Sequence, residues 1–403
     1  MPRAGQLKLE SDRRLSDLVS VGLLARVFPP VLVDEVIAAA GRKEQRIRSL
    51  PARVVAYFVI GMALFSDGSY EDVFASLTDG LSWLSSWRES WKAPSGSAIF
   101  QARERLGFEA VRALFVRVAR PLATAGTPTA FLAGRRLVAI DGTMLDVADT
   151  PVNDAFFGRP GVNKGEKSAF PQARVVGLVE CGTHAIFAAV TGTCATGEVT
   201  LARELVSSLL PGMLCLADRG FYGFKLWEAA RNTGADLLWR MKANQKLEPL
   251  EVFADGSFLA RIFEISNFKR RGKGIVVRVV EYTIDDGRRN DTEYRLITTM
   301  LDPDEITATE MALGYSQRWE IEGVFDELKT HQRGPRMVLR SKSPGLVQQE
   351  IWGHLCCHYA IRSVMWEAAM HAASDPDRVS FVAALRIARR SIAQPGDFFP
   401  SGI

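Results

Sequence analysis

The chain has 403 residues, of which 47% are hydrophobic and 24% charged, and its net charge is +4. An ordinary apolar fraction with so small a net charge excludes a disordered chain, and the length predicts two or three domains. Five cysteines without a CxxC pair exclude a disulfide framework and indicate a reducing compartment. The longest apolar run, 54–65, is shorter than the roughly 20 residues of a membrane-spanning helix. We therefore expect a soluble, cytoplasmic protein with no membrane partner.

The first 125 or so residues have the pattern of helices. Pro51 precedes ARVVAYFVIGMALF, which is apolar on most sides and predicts a buried helix. Residues 1–120 contain 17 Lys and Arg against 13 Asp and Glu, so this segment holds as much net charge as the whole chain. Such a balance permits a nucleic-acid partner without requiring one.

The pattern changes near residue 131, where short runs rich in Val, Ile and Leu predict strands of a buried sheet. These runs are 137–141, 173–180, 184–192 and 214–218. Residues 250–302 show only strand and turn signals, and helical patterns return at 308–329, 347–373 and 377–392. A core of sheet and helices is therefore expected to be interrupted by an all-β insert and closed by helices.

Two aspartates follow apolar strands directly, Asp141 in LVAIDGT and Asp218 in LCLADRG. Strand ends line the ligand crevice of an open α/β sheet, and carboxylates there suit a hard cation such as Mg²⁺. The competing interpretation is that each aspartate only caps the turn that follows it. Asp146, five residues after Asp141, is an alternative ligand.

The predicted helix 308–329 carries four polar side chains that share one face. Tyr315, Arg318, Glu322 and Lys329 are spaced at offsets of 3, 7 and 14. At 100° per residue they fall in a stripe about 60° wide. Leu313 and four other apolar residues fall on an opposite, core-facing side. A solvated face with an Arg318–Glu322 ion pair is the alternative reading of the stripe.

The four residues match the YREK signature of the DDE transposases of the insertion sequence four family. The match is carried by YSQRWEIEGVFDELK, by ADRGF and IDGT before it, and by PARVVAYFVIGMALFSDGSYEDV near the N-terminus. The chain resembles this family over about residues 20–392.

The resemblance implies an α/β fold in which a ribonuclease-H-like catalytic domain is interrupted by an all-β insertion and preceded by an α-helical N-terminal domain. The implied boundaries are a DNA-binding helical domain over 1–128, the first part of the catalytic core over 129–249, the insertion over 250–303, and the second part of the core with C-terminal helices over 304–403.

The resemblance also implies the site. Asp141, Asp218 and Glu322 would be the catalytic triad and the ligands of two Mg²⁺ ions, for which Mn²⁺ can substitute. Two cations held by such carboxylates act as a clamp on in-line phosphoryl transfer. Tyr315, Arg318 and Lys329 would contact DNA phosphates.

The implied activity is a transposase that cuts double-stranded DNA at the terminal inverted repeats of an insertion sequence and transfers the strand into target DNA. It would act as a dimer in the synaptic complex, and it would be associated with the nucleoid when bound to DNA. Two alternatives stay open, a catalytically inactive DNA-binding derivative and a ribonuclease-H-like metal nuclease.

Two basic runs fit a DNA partner. The stretch between Lys329 and Gln349 contains no acid, and the insert has a basic turn. The residues concerned are Lys329, Arg333, Arg336, Arg340, Lys342, Lys269, Arg270, Arg271 and Lys273.

Several aromatic and histidine residues are assigned more simply. Hairpin-forming relatives place a Trp late in the insert, where this chain has Tyr294 or Arg295, so the hairpin route is left open. Trp239 and Trp319 are predicted to pack in the core. His354 and His358 have a zinc-compatible spacing, but their segment has the pattern of a buried helix.

Overall fold

The structure is a computed structural model that describes residues 22–46, 50–78, 94–161, 166–242, 245–264, 274–284, 292–332 and 338–391. The chain forms two compact units. The helical unit comprises Met1–Arg120, Leu145–Gln172 and Asp326–Ile403, and the sheet unit comprises Pro121–Met144 and Ala173–Phe325.

Most of the described α-helices lie in the helical unit, and those that begin between residues 198 and 320 lie in the sheet unit. In chain order, the α-helices of the described ranges are α1 (Leu23–Val27), α2 (Pro30–Ala39), α3 (Ala52–Leu64), α4 (Tyr70–Thr78), α5 (Gly96–Val118), α6 (Pro151–Phe157), α7 (Glu198–Leu205), α8 (Phe224–Arg231), α9 (Ala308–Ser316), α10 (Glu320–Asp326), α11 (Pro344–His371) and α12 (Phe381–Ser391).

The core of the helical unit is built on α3 and α11. Helix α3 is buried from Val54 to Leu64, as its all-round apolar sequence predicts. Helix α11 packs against both α3 and α5. Gly353 allows the closest approach, because a Cβ at this position would lie 2.7 Å from the carbonyl oxygen of Val59. The two backbones can therefore meet without an intervening side chain.

The second unit is organised on one sheet. Its described strands are β1 (Phe131–Leu132), β2 (Arg135–Asp146), β3 (Gln172–Glu180), β4 (Ile186–Thr193), β5 (Met213–Ala217), β6 (Asp236–Met241), β7 (Glu251–Val252), β8 (Phe258–Ile262), β9 (Ile275–Ile284) and β10 (Thr292–Thr298).

The strand order is β4-β3-β2-β5-β6-β10-β9-β8-β7, with β1 paired to β2. Strands β2, β5 and β6 are parallel neighbours, and β3 and β4 are antiparallel. Helices α7 and α8 pack against each other, and residues of both belong to the buried cluster that contains Val138, Cys215 and Trp239. The core is α/β and ribonuclease-H-like, preceded in the chain by helices, as predicted.

The all-β segment extends the core sheet. Strands β7 to β10 lie in the chain between Asp218 and Glu322, which confirms the predicted insertion. Strand β10 pairs antiparallel with β6, so hydrogen bonding continues from the parallel strands into the insert. Strand β6 itself was absent from the sequence-based prediction. No helix of the described ranges is long and apolar enough to cross a membrane.

Candidate active site

The strand register brings the two predicted aspartates to one level of the sheet. Strands β2 and β5 run parallel with Ile140 opposite Ala217. Asp141 and Asp218 are the next residues of the two chains. Parallel neighbours in this register direct corresponding residues to the same edge of the sheet.

The local structure at Asp141 differs from the prediction. Strand β2 does not end there but continues to Asp146, so the expected turn after Asp141 is wrong. Only the pairing with β5 stops, at Ile140. Gly142 serves close packing instead, since a Cβ there would lie 2.9 Å from Oε1 of Glu198.

Asp141 titrates abnormally. Burial is the largest cause and raises the pKa of its carboxyl from 3.8 to about 6. A hydrogen bond from the backbone N–H of Gly142 (2.8 Å) and the charge of Arg318 act in the opposite direction. The charges of Glu198 and Asp218 raise the pKa further. The site therefore concentrates negative charge around one partly buried carboxyl group.

The segment that carries the YREK residues is not one regular helix. Helix α9 ends at Ser316, a 3₁₀ turn covers Gln317–Trp319, α10 follows, and Glu327–His331 form a π-helical turn. The 3₁₀ turn changes the angular phase that a constant 100° per residue assumes. Leu313, predicted to face the core, is 66% exposed, and Trp319, also predicted to be buried, is 47% exposed. The other predicted core residues, Ile321, Val324, Phe325 and Leu328, are buried.

Arg318 connects the three predicted carboxylates electrostatically. Its burial acts to lower the pKa of the guanidinium, but Tyr315 and then Asp218, Asp141 and Glu322 outweigh this effect, so the pKa is raised. One of its nitrogens lies 3.4 Å from Oε1 of Glu322. Its buried Nε has no hydrogen-bond partner in the part of the chain that the structure describes. The guanidinium is therefore not saturated by protein groups.

Tyr315 lies beneath this site rather than on its surface. The side chain is 1% exposed, and burial raises the pKa of its phenol. Its hydroxyl donates a hydrogen bond to the carbonyl oxygen of Ala217 at 3.2 Å. Ala217 is the last residue of β5, directly before Asp218, so the tyrosine braces the end of the strand that carries this aspartate.

Arg240 is a residue that the sequence-based prediction missed. Trp239 pairs with Ala217, so Arg240 stands level with Asp218, and its Nη1 lies 3.9 Å from Oδ1 of that residue. The guanidinium carbon lies 3.9 Å from the centroid of the Tyr294 ring, which also stacks on Tyr282 at 5.2 Å. The sequence does contain a signal for this residue, because the largely apolar run ADLLW directly before Arg240 is typical of a further buried strand.

Glu198 is a second missed residue. It begins α7, and its carboxylate forms a 2.8 Å ion pair with Arg174 of β3. The same carboxylate packs against Gly142, as described above. Nothing in the sequence near Asp141 indicates this fourth acid, because 56 residues separate Gly142 from Glu198.

The remaining predicted residues belong to the helical unit. Lys329 is exposed on the π-helical turn. Asp146 accepts a 2.7 Å hydrogen bond from Gln172, which gives it a structural partner. His354 and His358 are buried in α11, as predicted.

The predicted basic run is only partly available to DNA. Arg340 donates hydrogen bonds to the carbonyl oxygens of Ser66 and Gly68, so it has a structural role, whereas Lys342 is exposed. The others lie outside the described residues: Arg333, Arg336, Lys269, Arg270, Arg271 and Lys273.

The carboxylate arrangement fits a divalent cation. Asp141 experiences the negative charges of Asp218 and Glu198, while Arg318 is the shared cation among the three predicted ligands. Oxygen donors of this kind suit Mg²⁺ and Mn²⁺, and a bound cation would relieve the mutual repulsion.

Comparison with known proteins agrees with this architecture. The family model described as insertion element 4 transposase N-terminal matches residues 18–116, and the transposase DDE domain model matches residues 132–360. Transposase InsG for insertion sequence element IS4, from Escherichia coli K12, is 31% identical over 361 residues, which cover 89% of this chain and 80% of that protein.

Two further proteins are more distant. The putative transposase InsZ of Escherichia coli K12 is 24% identical over 243 residues, covering 60% of this chain and 78% of that one. A piggyBac transposase in a synaptic complex with hairpin DNA has a TM-score of 0.49 at 12% identity, over 93% of this chain and 80% of that chain. The DDE domain model spans more than half of the sequence, and InsG is matched over most of its length. The chain therefore belongs to the insertion sequence four family of DDE transposases and is a DNA transposase.

Proposed function

We propose that Asp141, Asp218 and Glu322 are the catalytic carboxylates of this transposase and the ligands of two Mg²⁺ ions. The observation that carries the proposal is that the buried guanidinium of Arg318 lies 3.4 Å from Glu322 and near enough to Asp218 and Asp141 for their charges to raise the pKa of Arg318. The parallel register of β2 and β5 supports it, because it brings the two aspartates level. When bound, the two cations would stabilise the attacking and leaving oxygens of an in-line displacement.

The basic residues of the signature would hold DNA rather than read its sequence. Arg318 and Lys329 are proposed to bind phosphate oxygens, as a guanidinium and an ammonium do in general. Direct contact between Tyr315 and a phosphate stays a prediction, since in this structure its hydroxyl is bonded to the Ala217 carbonyl. We assign Tyr315 the role of positioning Asp218.

The substrate would be double-stranded DNA at the terminal inverted repeats of the encoding element, followed by target DNA. Cutting and joining would use the same carboxylates, because both steps are in-line displacements at a phosphate. The attacking group is a water in the cutting step and a 3′-hydroxyl in the joining step. Joining two ends in a concerted way requires two active sites, which implies a dimer on DNA.

The test uses a labelled duplex of the element's terminal repeat with Mg²⁺ or Mn²⁺. We expect cuts at the repeat tip and joining to a second duplex, both abolished by Glu322→Gln. Asp326→Asn is the matched control, since it removes one exposed carboxylate four residues further along. Calorimetry should show weaker Mn²⁺ binding by Glu322→Gln and unchanged binding by the control.

The other outcomes correspond to the alternatives. Cutting without joining and without dependence on the repeat would favour a metal nuclease. Repeat-specific binding with no cutting in either metal would favour an inactive DNA-binding derivative. Equal Mn²⁺ affinity of wild type and Glu322→Gln would exclude Glu322 as a ligand.

A further inference from the structure

The π-helical turn Glu327–His331 is an unusual feature of the helical unit. The backbone N–H of Gln332 donates to the carbonyl oxygen of Glu327 at 2.8 Å, which is the five-residue spacing of a π-helix. Such turns are rare, and they are found frequently at functional sites. The contacts at its two ends show which groups hold the turn in place.

The start of the turn is held by a buried ionic cluster. Glu327 accepts hydrogen bonds from Nε of Arg362 at 2.9 Å and from a terminal nitrogen of the same guanidinium, a two-point geometry. Nε2 of His358 lies 3.1 Å from the same carboxylate. His358 and Arg362 are one turn apart on α11, and their side chains are 0% and 2% exposed. We call Glu327, His358 and Arg362 the Glu327 clamp.

The end of the turn is held separately. Gln332 is fully buried, and its side-chain amide donates to the carbonyl oxygen of His354 at 3.0 Å. Its own carbonyl oxygen accepts a 2.8 Å hydrogen bond from the hydroxyl of Ser66. Both ends of the π turn are thus fixed to α11 or to the segment after α3, and the fixing groups are buried.

Lys329 is the exposed cation between these two fixed ends. Its neighbour Leu328 is fully buried, so the turn points one side chain into the core and the next into solvent. A π turn adds one residue relative to an α-helical turn, and it therefore changes the direction in which the following side chains project. The direction of Lys329 depends on the turn keeping this form.

We propose that the Glu327 clamp is a positioning device, which maintains the π turn and thereby directs Lys329 toward a DNA phosphate. This inference rests on the proposed phosphate-binding role of Lys329. The competing explanation is that the clamp only stabilises the fold, as a buried ion pair with well-matched partners can do. The two explanations differ in what they predict for DNA binding by a folded variant.

The direction of the change in DNA affinity separates the two explanations. Glu327→Gln removes one negative charge, and simple electrostatics would make the protein bind DNA slightly more tightly. The positioning role predicts weaker binding, because the Lys329 side chain would no longer be oriented toward the phosphate. Asp326→Asn is the matched control, since it removes an exposed carboxylate from the adjacent position, keeps an oxygen that can accept from the Thr330 hydroxyl, and leaves the Glu327 clamp intact.

The experiment measures affinity of the full chain for the terminal-repeat duplex as a function of salt, for wild type, Lys329→Ala, Glu327→Gln, the double variant and Asp326→Asn. We expect Lys329→Ala to lower the magnitude of the log–log salt slope by about 0.9, the value for one phosphate contact. Glu327→Gln should lower the slope in the same direction, and it should cost nothing further in the Lys329→Ala background. Asp326→Asn should leave the slope unchanged.

Three results would overturn the proposal. An unchanged slope and affinity in folded Glu327→Gln, with Lys329→Ala reduced, would reject the positioning role alone. Additive losses in the double variant would mean that Glu327 acts through another group. No effect of Lys329→Ala would reject the phosphate role on which the inference rests, and this outcome is distinguishable from the first. Should Glu327→Gln fail to fold, Arg362→Lys replaces it in the series, because a lysine keeps the charge at position 362 but loses the two-point hydrogen bond to Glu327, and it should lower the slope in the same way.

Discussion

At the scale of single residues, the site is defined by what surrounds Asp141. Its carboxyl is partly buried, it accepts a hydrogen bond from the next backbone N–H, and it experiences a fourth acid, Glu198, that no local sequence pattern indicated. Glu198 packs against Gly142, so a larger residue at this position would have to displace that side chain. The aspartate therefore lies in an environment that disfavours its charge.

This environment predicts a pH-dependent cost to stability. Because the pKa of Asp141 is raised from 3.8 to about 6, the folded protein holds this proton more tightly than the unfolded chain. The contribution of Asp141 to the free energy of unfolding is complete below about pH 4 and is lost as the pH rises through about 6. Asp141→Asn should therefore stabilise the metal-free protein at pH 7.5, by at most about 3 kcal/mol.

Urea unfolding in EDTA at pH 4 and pH 7.5 checks this expectation. The difference between wild type and Asp141→Asn should appear only at the higher pH. A variant that is less stable than wild type at pH 7.5 would contradict the assigned environment. Added Mn²⁺ should reverse the order, because only wild type retains the full set of ligands.

At the scale of elements, α9 and β5 are joined by one buried hydrogen bond. The hydroxyl of Tyr315 donates to the last carbonyl of β5, so α9, which carries the first YREK residue, and the strand that leads to Asp218 are held together. Asp255 connects the insert to the same helix. It pairs with the buried Arg278 of β9 at 2.6 Å and accepts from the backbone N–H of Ala308, the first residue of α9. The insert is thus joined to the first residue of α9.

Tyr315→Phe distinguishes positioning from phosphate contact. We expect a loss of about 1 kcal/mol in stability, since one buried carbonyl loses its donor. Cleavage should slow by up to about 100-fold through displacement of Asp218, while the salt dependence of DNA binding stays that of wild type. Single-turnover cleavage and salt titration measure the two effects. Tyr222→Phe, another tyrosine of the sheet unit, is the control, and a reduced salt slope for Tyr315→Phe would instead favour phosphate contact.

At the scale of the whole molecule, each unit has its own core and its own buried polar network. In the helical unit the network centres on Arg103, which is 1% exposed. Its guanidinium donates to Gln349, Tyr70 and Ser341 at 2.7–2.9 Å and to the Leu346 carbonyl at 3.2 Å. One side chain of α5 therefore joins α4 and α11, which are far apart in the sequence.

Arg103→Met should destabilise the helical unit by about 3 kcal/mol, because four hydrogen-bond partners, three of them buried, lose their donor at once. Arg117→Met, an exposed arginine of the same helix, should change stability by less than about 0.5 kcal/mol. Urea unfolding followed by tryptophan fluorescence compares the two, and equal effects would mean that the network contributes no net stability.

The sequence by itself determined the family, the fold class and most of the helices and strands. These follow from local periodicity and from a spaced signature, both of which are properties of neighbouring residues. It also identified Asp141, Asp218 and Glu322 as candidates, though their catalytic role stays a prediction to be tested by variants. The burial of His354 and His358 was predictable for the same reason.

Only the tertiary structure decided how these residues meet. The pairing of Arg240 with Asp218 and the approach of Glu198 to Gly142 depend on strand register and on packing between distant segments. The exposure of Leu313 and Trp319 depends on a 3₁₀ turn that a constant helical period cannot represent. The π turn that carries Lys329 is held by α11, which begins thirteen residues after that turn ends. Contacts between distant segments are fixed by the packing of the whole core, and for that reason no short stretch of sequence contains them.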